Sequence, residues 1–195
     1  MSLVIAYHAG PTRYAMAADS RASTEGGMTM DTPKAFHVKP YYLVGYAGSL
    51  FGAQVVHEVL EPLLHRGHEL AGPRRTAETR GHVERLMRQA HREALVHCGP
   101  PETGRYPGSG VEVMVVCPAG IATMDEAGAV VWATGRYWAI GCADGYAMGY
   151  LDGWDREPVD VGLDAWLETP INCAARRYPG VGGKVVVMEV GSVDP

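Results

Sequence analysis

The chain has 195 residues, 47% hydrophobic and 20% charged, an ordinary composition long enough for one buried core. Its formal net charge of −5 argues against nucleic acid as a partner, and no apolar run is long enough to span a membrane. Four scattered cysteines, Cys98, Cys117, Cys142 and Cys173, form no C-x-x-C pair, which argues against a disulfide framework or a zinc site.

The opening MSLVIAYHAGPTR lacks the basic region and cleavage site of a signal peptide, so a cytoplasmic protein is expected. Residues 3–9 (LVIAYHA) read as a strand, GPT (10–12) as a turn and RYAMAAD (13–19) as the return strand of a hairpin. A polar, glycine-containing stretch leads to KAFHV (34–38), and KP (39–40) turns the chain into YYLVGYAG (41–48). The first quarter is thus four short strands. From 49 to 70 the period changes: Leu50, Val55, Val56, Val59, Leu60, Leu63 and Leu64 form a helical stripe that Pro62 is expected to kink. AGPRR precedes a second helix at 76–97, with Thr76 as its N-cap. After a loop at 97–110, strands follow at 111–117, 121–125 and 129–134. Helices at 143–154 and 160–177 come next, the latter bent or ended by Pro170, and then a last strand at 182–190. Strands arranged in hairpins predict antiparallel sheet with helices layered outside. With no linker and no repeat, residues 1–195 read as one domain.

Ser2 raises the chemical question. Methionine is commonly trimmed before a small residue, which would leave one residue carrying both a hydroxyl and a free α-amine. An α-amine has a pKa of about 7.7–8 and accepts a proton near neutrality, so the pair is a nucleophile with its own base. Three supports are needed: a cation to keep the amine neutral, an anion to hold that cation, and N–H groups for an oxyanion. Lys34, Asp19 and Gly48 in AGS (47–49) are candidates in that order. An ammonium about 4 Å from the amine disfavours its proton by at most about 4 kcal/mol at an effective dielectric near 20. Singly, each residue also has a plain structural use: a cap for Asp19, solvation for Lys34, a turn for Gly48.

Other patterns are weaker. His57, His65 and His68 share a helical region, but no carboxylate at ligand spacing stands out beside them, and no metal is expected. GYAGSLFG is not a G-x-G-x-x-G fingerprint, so no dinucleotide cofactor is expected either. The arginine-rich 72–92 reads as a solvated helix face or an interface. Trp132, Trp138, Trp154 and Trp166 read as core or interface anchors.

Taken together, AADSRAS, a strand-leading lysine and AGS resemble proteasome β-type subunits and the HslV peptidase, within the N-terminal nucleophile (Ntn) hydrolases. The matching stretches are SLVIAY (2–7), AMAADSRAS (15–23), PKAFHV (33–38), LVGYAGSLFGAQ (43–54), YWAIGCADGYAMGYLDG (137–153) and GGKVVV (182–187). The resemblance implies an α+β fold, a four-layer αββα sandwich of two antiparallel sheets flanked by helices. It implies Ser2 as nucleophile, Asp19 orienting Lys34, and Gly48 as oxyanion donor. It further implies that Ser23 pairs with an extended peptide. Ala22, Thr32, Tyr46 and Leu50 would line a side-chain pocket that Tyr46 partly fills, favouring small or medium apolar residues. Serine stands where the family has threonine, and Cys142, Tyr178 and Val181 stand where it has supporting polar side chains. The implied activity is cleavage of peptides or unfolded proteins, without a cofactor, by a ring-shaped homo-oligomer served by an unfoldase ATPase. Two other readings are a non-catalytic subunit with an assembly or binding role, and a small-molecule amide hydrolase.

Overall fold

A computed structural model describes residues 2–23, 29–38, 40–67, 76–98, 110–153 and 162–191. Expectations placed on Met1, Lys39, His68, 71–75, 99–109 and Trp154 lie outside the described residues. In chain order the elements are β1 (Leu3–Gly10), β2 (Arg13–Asp19), β3 (Arg21–Ser23), β4 (Thr29–Asp31), β5 (Ala35–Val38) and β6 (Tyr42–Gly48), then α1 (Leu50–Gly67) and α2 (Thr76–Cys98). They continue with β7 (Val111–Cys117), β8 (Gly120–Met124), β9 (Val130–Trp132) and β10 (Tyr137–Gly141), then α3 (Asp144–Gly153), α4 (Leu163–Ala175) and β11 (Val185–Val190).

Two antiparallel sheets stack face to face. One has the order β10-β1-β2-β11 and the other β5-β6-β7-β8-β9; β3 and β4 form a separate small hairpin. The strand sequences explain the stacking. In β1 nearly every residue is apolar because both faces are covered: Leu3, Ile5 and Tyr7 pack against α3 and α4, while Val4 and Ala6 face the other sheet. On β6, Tyr42, Val44 and Tyr46 face α1 and α2, while Leu43 and Ala47 face the first sheet. Three apolar layers therefore separate four structural ones, helix–sheet–sheet–helix, and the fold is the αββα sandwich.

The sequence reading misses two features. β3 and β4 are three residues each, the first mostly half-buried and the second exposed, so they carry no alternation of burial. β10 is a five-residue run leading directly into α3, and it supplies the edge strand of the first sheet. Neither proline ends its helix. Pro62 lies inside α1, and Pro170 lies inside α4, where it is buried in the stripe Leu163, Trp166, Leu167, Ile171 and Ala174. Burial of that stripe offsets the lost backbone hydrogen bond. Trp132 and Trp138 are partly buried against the core and Trp166 is buried. Among the described residues no helix is long and apolar enough to cross a membrane.

Candidate active site

β1 and β2 bring the chain start and Asp19 to the same end of the sandwich, since the two strands run antiparallel with Val4 opposite Ala18. Asp19 is only 1% exposed, and such a carboxylate must be fully partnered to stay there. Its Oδ1 accepts the Leu3 N–H at 2.8 Å and its Oδ2 the Gly182 N–H at 3.0 Å. Lys34 Nζ donates to both oxygens at 2.9 Å and also to the Arg21 carbonyl. Lys34 itself is 7% exposed. Burial pulls its ammonium below the ordinary lysine range, and the neighbouring Asp19 opposes that pull.

Ser2 is 5% exposed and lines a cavity of about 390 Å³ together with Lys34 and Gly48. Its carbonyl accepts the Cys142 N–H at 3.0 Å, with the Cys142 thiol at 3.5 Å. Gly141 makes this grip feasible: its φ is +107° and a Cβ there would lie 2.1 Å from the Ser2 oxygen. Gly48 ends β6 with φ +108°, where a Cβ would meet the Gly110 carbonyl at 2.2 Å. Directly after it Ser49 caps α1, its Oγ accepting the Gly52 N–H at 3.2 Å. The cavity thus opens beside a helix N-terminus, where N–H groups favour developing negative charge.

Ala22, Ser23, Thr32, Tyr46 and Leu50 all line this same cavity, whereas Asp19 sits behind it. Ala22 and Ser23 belong to β3, which among the described strands pairs only with β4. Cys142 touches the Ser2 carbonyl from outside the lining. Tyr178 and Val181 are elsewhere. Val181 is fully buried in the apolar layer under α4, and the Tyr178 ring lies 6.0 Å from that of Tyr146. In this segment a backbone group, the Gly182 N–H, supplies the polar contact to Asp19.

Sequence reasoning missed the outer wall. Phe36 from β5 and His57 from α1 stack at 4.1 Å, and both meet Tyr46 edge-on. Tyr46 Oη lies 3.2 Å from His57 Nδ1, and His57 Nε2 lies 3.3 Å from Glu61. Burial lowers the His57 pKa and raises that of Tyr46. Glu61 also sits 3.9 Å from His65, so a carboxylate does share the histidine face of this helix, contrary to the sequence reading. The signal in the sequence is the i, i+4 spacing 57–61–65, which sets all three side chains on one helix face. Among the described residues no three His, Cys, Asp or Glu side chains are placed so that they could hold a metal ion together.

No family model and no curated protein matches the chain. Solved structures do match along nearly its full length. A eukaryotic HslV from Trypanosoma brucei superposes with a TM-score of 0.70 at 14% identity, covering 97% of this chain and 99% of that one. Thiobacillus denitrificans BPH gives 0.68 at 18% identity, covering 98% and 100%. The same protein in complex with epoxomicin gives 0.67 at 18% identity, with the same coverage. The chain therefore has the fold of HslV and of BPH.

Proposed function

We propose that the chain is an N-terminal nucleophile endopeptidase of the proteasome and HslV type, one domain in extent, that uses Ser2 after removal of Met1. The observation that carries this reading is the Lys34 ammonium, buried against Asp19 and lining one cavity with Ser2 and Gly48. A lysine placed merely for solubility would extend into water.

The chemistry follows from those groups. The Ser2 amine, kept neutral by the Lys34 ammonium of the same cavity, takes the Oγ proton as Oγ attacks the scissile carbonyl. The new oxyanion is received by the Gly48 N–H at the α1 terminus. The protonated amine passes its proton to the leaving nitrogen, the C–N bond breaks, and an acyl ester remains on Ser2. Water, deprotonated by the same amine, cleaves the ester and restores the serine. Asp19 touches no reacting atom; it fixes Lys34. Ser23 on β3 would pair with an extended substrate, with Ala22 beside the side-chain pocket. The proposal extends to a ring-shaped homo-oligomer acting in the cytoplasm on peptides or unfolded chains, with an unfoldase ATPase as partner.

Epoxomicin tests this directly, because an epoxyketone offers two electrophilic carbons to a hydroxyl and an amine on one residue. Intact mass is expected to show a chain one methionine shorter. Peptide mapping should place the adduct on Ser2, and Ser2→Ala should abolish it. Retention of Met1 in the native host, or no adduct on a trimmed chain, overturns the reading. That result would favour a non-catalytic subunit, the alternative to which the apolar packing of Val181 and Tyr178 lends support. An adduct without any peptide turnover would favour a small-molecule amide as substrate.

A further inference from the structure

We propose that His57, backed by Glu61, is a specificity-determining residue: it fixes Tyr46 in the outer wall of the cavity. The site thereby selects peptides with a short, uncharged aliphatic side chain before the scissile bond. The inference rests on the peptidase reading above and concerns its substrate class.

Tyr46 is 2% exposed, and a phenol buried that deeply needs a hydrogen-bond partner. Its hydroxyl meets His57 Nδ1 at 3.2 Å. On the far side of the ring, His57 Nε2 meets the Glu61 carboxylate at 3.3 Å. A carboxylate only accepts, so Nε2 carries the proton and Nδ1 is left to accept from the tyrosine. The direction of the chain Tyr46→His57→Glu61 is thereby set. The titratable groups around His57 are Tyr46 from β6 and Glu58 and Glu61 from its own helix. Burial keeps the imidazole neutral against the pull of both carboxylates.

Three rings then lock one another. Phe36 stacks on His57 with 4.1 Å between centroids, and Tyr46 stands edge-on at 5.9 Å to Phe36 and 5.8 Å to His57. Tyr46 therefore cannot swing aside to admit a larger side chain. The wall offers incoming groups little but carbon, because the Tyr46 hydroxyl and both His57 nitrogens are engaged within it. The Lys34 ammonium is engaged as well, by Asp19 and the Arg21 carbonyl. A charged side chain entering here would lose water and find no free counter-ion on this wall, so the site disfavours it. The cavity of about 390 Å³ must also hold the substrate backbone at Ser2 and Gly48.

The test is a set of fluorogenic peptides differing only before the cleaved bond, with alanine, valine, phenylalanine or glutamate, assayed on the mature full-length assembly. Wild type is expected to favour alanine and valine over phenylalanine and glutamate by at least about ten-fold in kcat/KM. His57→Ala frees Tyr46 and opens space beside Phe36. The phenylalanine-to-alanine ratio should rise about ten-fold, through KM. His57→Asn, whose amide oxygen lies where Nδ1 does, should return the ratio towards wild type. Tyr46→Phe breaks the same bond from the other side, so its effect on the ratio should not add to that of His57→Ala. Epoxomicin labelling reports that each variant is folded. A wild type that prefers phenylalanine or glutamate overturns the inference alone. So does a His57→Ala protein that slows all four peptides equally. A wild type that cleaves none of them overturns the peptidase reading and this inference with it.

Discussion

The floor and the wall of the cavity are built by opposite means. At the floor, one carboxylate is held by backbone N–H groups from Leu3 and Gly182 and by the Lys34 ammonium, which also bonds the Arg21 carbonyl. Distant parts of the chain converge on it, and most of the contacts use main chain. At the wall, three side-chain rings from β5, β6 and α1 hold one another, and one carboxylate ties them to the surface. The floor is thus fixed by the fold itself, while the wall is fixed by three residue identities. Damage to the floor should cost reaction rate, and damage to the wall should cost selectivity.

The sharpest way to break this contrast is at Lys34. Lys34→Ala removes the cation that shares the cavity with the proposed nucleophile and leaves Asp19 charged and buried. The amine then stays protonated and cannot act as the base, so the expected loss in kcat is about 10³-fold, within the usual range for disabled proton transfer. Breaking one side of a buried ion pair also costs about 3–5 kcal/mol, so urea unfolding should shift markedly. Lys34→Arg should fail similarly, because a planar guanidinium cannot place one nitrogen between both Asp19 oxygens and the Arg21 carbonyl. If Lys34→Ala cleaved peptides at the wild-type rate, the floor would be architecture only.

The two regions also differ in how far they can be read from the chain. AAD ending one apolar strand and PK opening another set a charge at each strand end, and it is their order that resembles a known family. The wall had no such marker. Phe36 and His57 come together only because α1 lies across β5 and β6, a tertiary fact that periodicity along either element does not contain. The same limit applies to the fold. Long buried elements announce themselves by a continuous apolar run, as β1 and β7 do, or by a helical period, as α1 does. Three-residue strands such as β3 and β4 exist because the chain there is held by neighbours: Ser20 donates to Asp31 at 2.8 Å and accepts from Lys184 N–H at 2.8 Å. No local residue pattern encodes such cross-chain ties.

Glu112 sharpens the question of where the floor ends. It is the one charged residue in the apolar strand β7, lies opposite Ala47, and its Oε2 accepts the Gly141 N–H at 2.8 Å. The next residue, Cys142, grips the Ser2 carbonyl. Glu112 therefore ties the sheet carrying Gly48 to the loop that holds Ser2. Burial raises its carboxyl pKa, and the hydrogen bond from Gly141 opposes the shift. Glu112→Ala leaves that N–H unpaired, a cost of about 1–3 kcal/mol. Misalignment of nucleophile and oxyanion site should lower kcat about ten- to hundred-fold. Glu112→Gln keeps an acceptor and should recover most of both. A loss of stability with kcat intact would confine the floor to the Asp19–Lys34 cage.

The smallest effect concerns a histidine that is the converse of His57. His8 lies six residues along β1 from Ser2, roughly 20 Å at about 3.3 Å per residue. Its ring stacks on Tyr14 at 5.8 Å, and its Nε2 has no hydrogen-bond partner among the described residues. His57 has both nitrogens engaged; His8 does not. Burial lowers the pKa of each, and of His82, from the ordinary 6.5. Below pH 6.5 the unfolded chain therefore binds protons that the folded chain refuses. Stability from this source is fully present above 6.5 and is lost as pH falls towards the folded values, at up to about 1.4 kcal/mol per pH unit for each histidine. His8→Phe keeps the stack and removes the titration. Urea unfolding from pH 7.5 to 4.5 should give a shallower decline, by about one proton at most, while the preference among peptides stays where it was. An unaltered slope would mean that His8 takes up its proton equally in the folded and unfolded chain, and burial would not govern its titration.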